Sequence, residues 1–376
     1  MAEPFKNLIN VAGVHDIARH LRRVWPGFDA KAFERVALQD LDALELKARA
    51  MQLADALEAT LPADFAAAAG VIEASLAPPP RGEALDELRG HPDGLAGWPL
   101  WPMGEFVARR GLGTPERALQ TLREITQRFT AEWAIRPFIV THPQRVYATL
   151  QRWTADPSPH VRRLVSEGSR PRLPWGLQLK GLIADPSPTL PLLRALLDDP
   201  SEYVRRSVAN HLNDIAKDHP GLVVQWLAEH LPGAPAPRRQ LLKHASRTLI
   251  KQGHPQVMKA WGLGQALNGT LQFSVSPKRV RIGDSLTLQL TLVSTSARAQ
   301  ALQIDYAVHH VKASGASSPK VFKGWSLNLA PQATLSLTKR HSMRAVTTRR
   351  YHPGRHEVDV RINGRVLAQA EFQLSA

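Results

Sequence analysis

The sequence predicts a mainly α-helical chain that ends in a β domain, and two observations carry that prediction. "DPSPHVRRLVSEGS" (156–169) and "DPSEYVRRSVANHL" (199–212) align without a gap, 43 residues apart, each after a helical segment, "PQRVYATLQRWTA" and "PTLPLLRALLD". Helix pairs recurring at about 40 residues stack into a HEAT-like solenoid with a concave face. Near residue 270 the apolar period changes to two, as in "SLTLQLTLVS" (285–294), the alternation of half-buried strands. The expected fold is a HEAT-like α-helical solenoid over 1–268, followed by a C-terminal immunoglobulin-like antiparallel β-sandwich over 269–376.

Residues 5–76 read as helices, since "AFERVALQDLDALELKARAMQLADAL" places apolar residues at three- and four-residue steps. The proline- and glycine-rich "LAPPPRGEALDELRGHPDGLAGWPLWP" (76–102) reads as a long connection or a few short turns. Helical periodicity resumes over 114–139, with Thr114 and Pro115 as cap and first-turn residue. In both strong repeats Asp-Pro-Ser supplies turn and cap, and Val-Arg-Arg opens the second helix. "PGLVVQWLAEHL" with "PAPRRQLLKHASRTLIK" forms a third, weaker unit. Beyond residue 269, "SLTLQLTLVS", "ATLSLTK" and "HEVDVRI" alternate as strands, and Asn363-Gly364 signals a hairpin.

Composition narrows the function. With 43% hydrophobic and 22% charged residues among 376, the chain can build a large core. Absence of cysteine excludes disulfides, thiolate metal sites and cysteine nucleophiles. No apolar run suggests a signal peptide or membrane span, so a soluble, cytoplasmic monomer is expected. The net charge of +15 favours nucleic acid as a partner, not a membrane. Residues 271–376 hold fifteen Lys and Arg against five Asp and Glu, so the sandwich is expected to contact DNA as well. His352 and His356 lack the context of a metal pair, and no cofactor or metal is expected.

The aligned repeats also share a polar face. Arg163, Glu167 and Arg170 fall at i, i+4 and i+7, while Arg206, Asn210, Asn213 and Asp214 share one face of the second unit. Pro171 and Pro174 end the first helix and fix Trp175 beside Arg170 and Arg172. Trp133 follows Glu132 in the preceding segment and repeats the pairing of indole with carboxylate. Arg163, Arg170, Arg172, Arg206 and Asn210 are the expected DNA contacts. Carboxylates and indoles among them suit a cationic group held against aromatic faces.

"HVRRLVSEGSRPRLPW", "DPSEYVRRSVANHLNDIAKDHP" and "WPGFDAKAFERVALQDLDALELKARAMQLADAL" resemble the AlkC branch of the HEAT-like-repeat alkylpurine DNA glycosylases. "IDYAVHHVKASGASSPKVFKGW" and "TTRRYHPGRHEVDVRINGR" resemble its immunoglobulin-like C-terminal domain. The resemblance implies excision of N3-alkylated bases, above all 3-methyladenine and also 3-methylcytosine, from double-stranded DNA without base flipping. It places the site on Glu132, Glu167 and Asp214 as catalytic carboxylates with Trp175, and more weakly Trp133, against the substrate. The chemistry agrees. A base alkylated at N3 is cationic and leaves without a general acid, so the barrier lies in the oxocarbenium-like sugar, which a carboxylate can stabilise. Lys217 stands beside Asp218, where ion pairing fits better than Schiff-base chemistry, so a monofunctional hydrolase is expected. The rival readings are a non-enzymatic DNA-binding scaffold and a protein-interaction solenoid. Neither needs carboxylates in a phosphate-binding groove.

Overall fold

The computed structural model describes residues 4–80, 82–83, 91–346 and 349–376. The chain divides into two compact units, Met1–Asp218 with Ala234–Ala245, and His219–Gly233 with Ser246–Ala376.

The first unit is helical. Helices α1 (Val11–Val24), α2 (Ala30–Ala37), α3 (Leu46–Thr60) and α4 (Phe65–Ser75) occupy the first region read as helical. Asn10, Asp29 and Asp64 cap α1, α2 and α4 by accepting from the backbone N–H three residues on. The expected connection over 76–102 is shorter than its composition suggests. Residues 81 and 84–90 lie outside the described residues, but helix α5 (Leu100–Arg110) starts inside the proline-rich stretch. Pro99 and Pro102 sit at its N-cap and first turn, where a missing N–H is harmless.

The helix expected over 114–139 is two. Helix α6 (Pro115–Thr126) begins at the predicted proline, a turn spans residues 127–135, and α7 (Arg136–Thr141) follows. The chain continues through α8 (Pro143–Trp153), α9 (Pro159–Gly168), α10 (Lys180–Ala184), α11 (Leu190–Ala195) and α12 (Glu202–Ile215). Then come α13 (Pro220–His230), α14 (Ala236–Ala245), α15 (Arg247–Lys251) and α16 (Pro255–Ala260).

The Asp-Pro-Ser repeat has a physical explanation. Asp156 Oδ1 accepts from the Ser158 N–H and Asp199 Oδ1 from the Ser201 N–H, both at 2.9 Å. The first arginine of each Val-Arg-Arg, Arg162 or Arg205, turns back onto the carbonyls of that same Asp and Pro. Successive units are linked through the same aspartates, by Arg123 Nε to Asp156 at 2.8 Å and Arg162 Nε to Asp199 at 2.7 Å. One aspartate therefore forms the turn and accepts the cation of the preceding unit. Helix α9 packs against α8 and α12, and α12 against α14.

The second unit contains α13, α15 and α16 together with eight described strands. The third helical pair is thus divided, with α14 in the first unit and α13 in the second. Strands β1 (Gly269–Ser276), β3 (Ser285–Ser294) and β6 (Thr334–Ser342) form one antiparallel sheet. The other runs β2 (Arg279–Arg281), β8 (Arg365–Ser375), β7 (Gly354–Ile362), β4 (Gln300–Val311) and β5 (Ser317–Leu329). Its short β2 pairs in parallel with β8, the one departure from the expected antiparallel pattern among the described pairings. Leu286, Leu288, Leu290 and Leu292 of β3 face Ile304, Val308, Val358 and Val360 of the other sheet across the core. The Asn363-Gly364 hairpin is present, both residues at positive φ. A side chain at Gly364 would start 2.5 Å from the Gly253 backbone, so glycine is required there for contact as well as for turn geometry. Thr347 and Thr348 of the C-terminal motif lie outside the described residues. No helix among the described residues is long and apolar enough to cross a membrane.

Candidate active site

Gly168 ends α9 and lets it approach the 127–135 turn, because a Cβ there would meet Ile135 at 2.6 Å. Arg136, fully buried, binds the same junction from behind. Its Nη1 donates to the Gly168 carbonyl at 2.8 Å and its Nε to that of Leu177. Burial, with the nearby charge of Arg170, lowers its guanidinium to about 10. This one side chain joins the turn bearing Glu132 and Trp133, the end of α9 bearing Glu167, and the loop bearing Trp175.

The three predicted carboxylates come together through two arginines. Arg163 Nη1 lies 2.8 Å from Glu132 Oε2, and its Nη2 lies 3.8 Å from Glu167 Oε1. Arg170 donates from Nη1 to Glu167 Oε1 at 2.6 Å and from Nε to Asp214 Oδ2 at 2.8 Å. Lys217 Nζ donates to Asp214 Oδ1 at 2.9 Å, and Ser207 Oγ donates to Glu167 Oε2 at 2.6 Å. The carboxylate side chains are only 10%, 7% and 2% exposed for Glu132, Glu167 and Asp214. Burial alone would raise the Glu167 carboxyl, but Arg163, Arg170 and the Ser207 hydroxyl outweigh it and hold it below its ordinary value. It is therefore ionised at neutral pH. Both oxygens of Glu167 and of Asp214 are engaged. Glu132 Oε2 accepts from Thr130 Oγ1 as well as Arg163, whereas its Oε1 has no hydrogen bond or ion pair among the described residues.

Beside this chain of charges stands a stack of indoles. Trp133 stacks on Trp101 at 4.4 Å between ring centroids and on Trp175 at 6.5 Å, with Trp98 against Trp101 at 5.9 Å. Trp133 Nε1 donates to the Pro174 carbonyl at 3.2 Å, fixing the loop that presents Trp175. Trp175 itself is 60% exposed and has φ +62°. A bulky residue in the left-handed region costs about 1–2 kcal/mol, and an indole left in water recovers little of it. Strain and exposure together make Trp175 a candidate ligand contact.

The expected DNA contacts divide. Arg163 and Arg170 side chains are 16% and 10% exposed and paired with carboxylates, which leaves little of either open to a phosphate. Arg163 also lies over the Tyr203 ring at 5.0 Å. Arg172 is bidentate with Asp218. Arg206 is 68% exposed with an i,i+4 pair to Glu202, and it lines a cavity of about 310 Å³ between α12 and α14. Asn210 Oδ1 lies 2.9 Å from His244 Nε2 on the same side. Asp214 was expected opposite the apolar stripe of α12. It is instead buried, because it lies on the side of α12 that carries Ser207 and His211 toward Glu167 and Ser166 of α9, away from the exposed Arg206. Lys217 pairs with Asp214, and Asp218 takes Arg172.

Sequence reading missed Trp98, Trp101, Arg136, Thr130, Tyr203 and Ser207. Trp98 and Trp101 sit in a stretch read as connection, though "GWPLWP" repeats the Trp–Pro pairing of "RLPW" and was the available signal. Among the described residues no group of three or more His, Cys, Asp or Glu could hold a metal ion.

Two family models match, "DNA alkylation repair enzyme" over residues 118–266 and "Uncharacterised protein YhaZ, C-terminal Ig-like domain" over 270–376. The chain is 37% identical to the uncharacterized protein YhaZ of Bacillus subtilis (strain 168), across 98% of this chain and 99% of that one. It superposes on the Pseudomonas fluorescens alkylpurine DNA glycosylase AlkC, bound to DNA containing an abasic site analog, with a TM-score of 0.90 and 35% identity over all of both chains. The chain belongs to the AlkC family of alkylpurine DNA glycosylases. The helical fold and Ig-like C-terminal domain expected from the sequence are thus those of the AlkC family.

Proposed function

We propose that the protein is a DNA glycosylase that hydrolyses the N-glycosidic bond of N3-alkylated bases, 3-methyladenine and 3-methylcytosine, in duplex DNA. The observation that carries this reading is the convergence of Glu132, Glu167 and Asp214 into one arginine-bridged chain beside an exposed, strained Trp175. Three buried carboxylates have no use in a scaffold that only grips phosphates, which repel them.

The cationic lesion leaves with the bonding electrons as a neutral base, and positive charge develops at C1′. Glu132, with Oε1 uncommitted, is the carboxylate placed to face that charge and orient water. Glu167 and Asp214, tied to Arg170 and Lys217, set the field behind it. A site already charged and oriented spends nothing on reorganisation in the transition state. Trp175 packs against the sugar or the cationic base. Lys217 Nζ is turned onto Asp214 Oδ1 at 2.9 Å, an ion-pairing role that supports monofunctional hydrolysis over Schiff-base chemistry. Base flipping would need an enclosed pocket for the extruded nucleotide; in this reading the lesion instead stays stacked and meets the carboxylates on the face of the helical unit. Arg206 and Asn210 contact the backbone, Arg172 assists, and the basic sandwich over 269–376 grips the duplex as a second domain following the solenoid over 1–268. The protein acts as a monomer.

The test is incubation with methylated duplex DNA, scoring free bases and strand nicks beside undamaged DNA. Release of 3-methyladenine without nicking is expected. Binding without release would leave the scaffold reading in its place.

A further inference from the structure

A second cavity of the helical unit, of about 490 Å³, is lined by Trp101 and Trp175 together with Lys6, Glu45, Leu46 and Lys47. None of the three carboxylates lines it. Its volume falls within the range of about 300–1,000 Å³ usual for small-ligand sites. Trp101 is buried and locked on Trp133, so it offers one fixed aromatic surface. Trp175 offers a second, and Phe5, 67% exposed, also lines the cavity. Indole surfaces beside an apolar floor favour a planar ring, and stacking on them does not depend on which base is present.

The rim supplies the selectivity. Lys6 Nζ lies 4.0 Å from Glu45 Oε1, and the Glu45 side chain is 86% exposed. Although Glu45 stands at the N-cap of α3, its carboxylate does not cap the helix. Lys47 is also exposed. The rim therefore combines two ammonium donors with one carboxylate acceptor. The amino edge of adenine is the complement: one amine donor, N6, flanked by the acceptors N1 and N7. With two cations against one anion, the rim disfavours a cationic ring, so this cavity is unsuited to the alkylated base while it is still in DNA.

We infer that this cavity binds a neutral adenine ring, with the ring between Trp101, Trp175 and Leu46, and the amine on Glu45. The N3 edge, opposite the amine, faces away from Glu45, so a 3-methyl substituent is tolerated. The ring can come from the excised base, which is neutral once it leaves, or from an unstacked adenine of the strand.

Calorimetric titration of the full chain with adenine and with hypoxanthine, which puts a carbonyl where adenine has its amine, tests this without any base release. Adenine is expected to bind about two- to tenfold more tightly, since setting two acceptors face to face at an exposed rim forfeits about one hydrogen bond. Glu45→Ala should abolish the preference and Lys47→Ala should weaken adenine alone. Both should leave base release at the parent rate. Two further arms separate the sources: free 3-methyladenine, and duplexes carrying one unpaired adenine or one unpaired hypoxanthine nucleotide. Selective binding of the adenine bulge, competed by free adenine, assigns the cavity to the strand. Equal bulge affinities, with 3-methyladenine bound as tightly as adenine, assign it to the released base. No adenine binding, equal binding of adenine and hypoxanthine, or a preference that survives Glu45→Ala would overturn the inference.

Discussion

Replacing Arg170 by methionine keeps an unbranched side chain of similar reach and removes one charge that serves two carboxylates. Arg170 lies 2.6 Å from Glu167 and 2.8 Å from Asp214, side chains that are 7% and 2% exposed. Removing one member of a buried ion pair costs about 3–5 kcal/mol, because the other charge stays desolvated. Here Lys217 still holds Asp214, and Ser207 and the more distant Arg163 still face Glu167. The lower end, about 3 kcal/mol, is therefore expected. That corresponds to a fall in Tm of about 6–12 °C for a unit of this size. The loss must also depend on pH. Glu167 is held below its ordinary carboxylate value in the parent, so its contribution is present at neutral pH and fades as pH falls into and below the ordinary carboxylate range. Without Arg170 a buried Glu167 accepts a proton more readily, and the variant recovers relative to the parent on acidification. Thermal melts of both proteins at pH 7 and near pH 4.5 measure this. A gap under about 1 kcal/mol at pH 7, or an equal gap at both values, would show that Arg170 matters only for packing.

Other outcomes follow from the same geometry. Arg206→Ala should weaken binding to any duplex while changing stability by less than about 1 kcal/mol, as for an exposed pair; Arg163→Ala should do the reverse, and titrations beside melts separate the two. Duplex affinity should fall about 10³-fold or more between 50 and 200 mM salt if six or more phosphates are contacted, as fluorescence anisotropy would read. Trp175→Asn, which tolerates the left-handed backbone, should stay within about 1 kcal/mol of the parent by thermal melt yet lose base release. In the sandwich, burial and then Arg349 lower His310 to about 3, and burial lowers His341 to about 4. Arg349 donates to His310 Nε2 and holds that ring neutral. Folded pKa values below the unfolded value of about 6.5 make this stability complete above pH 6.5 and progressively lost below it, by roughly 2–4 kcal/mol at pH 5. Histidine-to-glutamine changes at both positions should flatten that decline in a pH series of melts.

Much of this architecture was legible because it rests on local chemistry. Asp-Pro-Ser before Val-Arg-Arg encodes a turn and an inter-unit ion pair, and Asn363-Gly364 encodes a hairpin, each within a few residues. The grouping of Glu132, Glu167 and Asp214 followed from repeat register together with family resemblance. What stayed hidden depended on distant packing. Arg163 and Arg170 sit where surface arginines would sit on an isolated helix. Only the approach of the 127–135 turn and α12 shows that carboxylates claim them. Trp98 and Trp101 lay in a proline-rich stretch whose composition argued against a helix, and their stacking on Trp133 is a tertiary contact. The division of the third helical pair between two compact units likewise has no local signature. Helices α13, α15 and α16 carry ordinary apolar periodicity and find their partners only in the folded chain.

In the proposed mechanism carboxylate charge, oriented by arginines, carries base release. Single-turnover release of 3-methyladenine by Glu132→Gln, Glu167→Gln and Asp214→Asn, alongside duplex titration and a thermal melt, tests it most directly. All three proteins should fold and bind DNA as well as the parent or slightly more tightly. Release should slow by about 10²-fold or more, most of all in Glu132→Gln, which alters the carboxylate with an oxygen left uncommitted among the described residues. Parent-rate release by all three would contradict that mechanism.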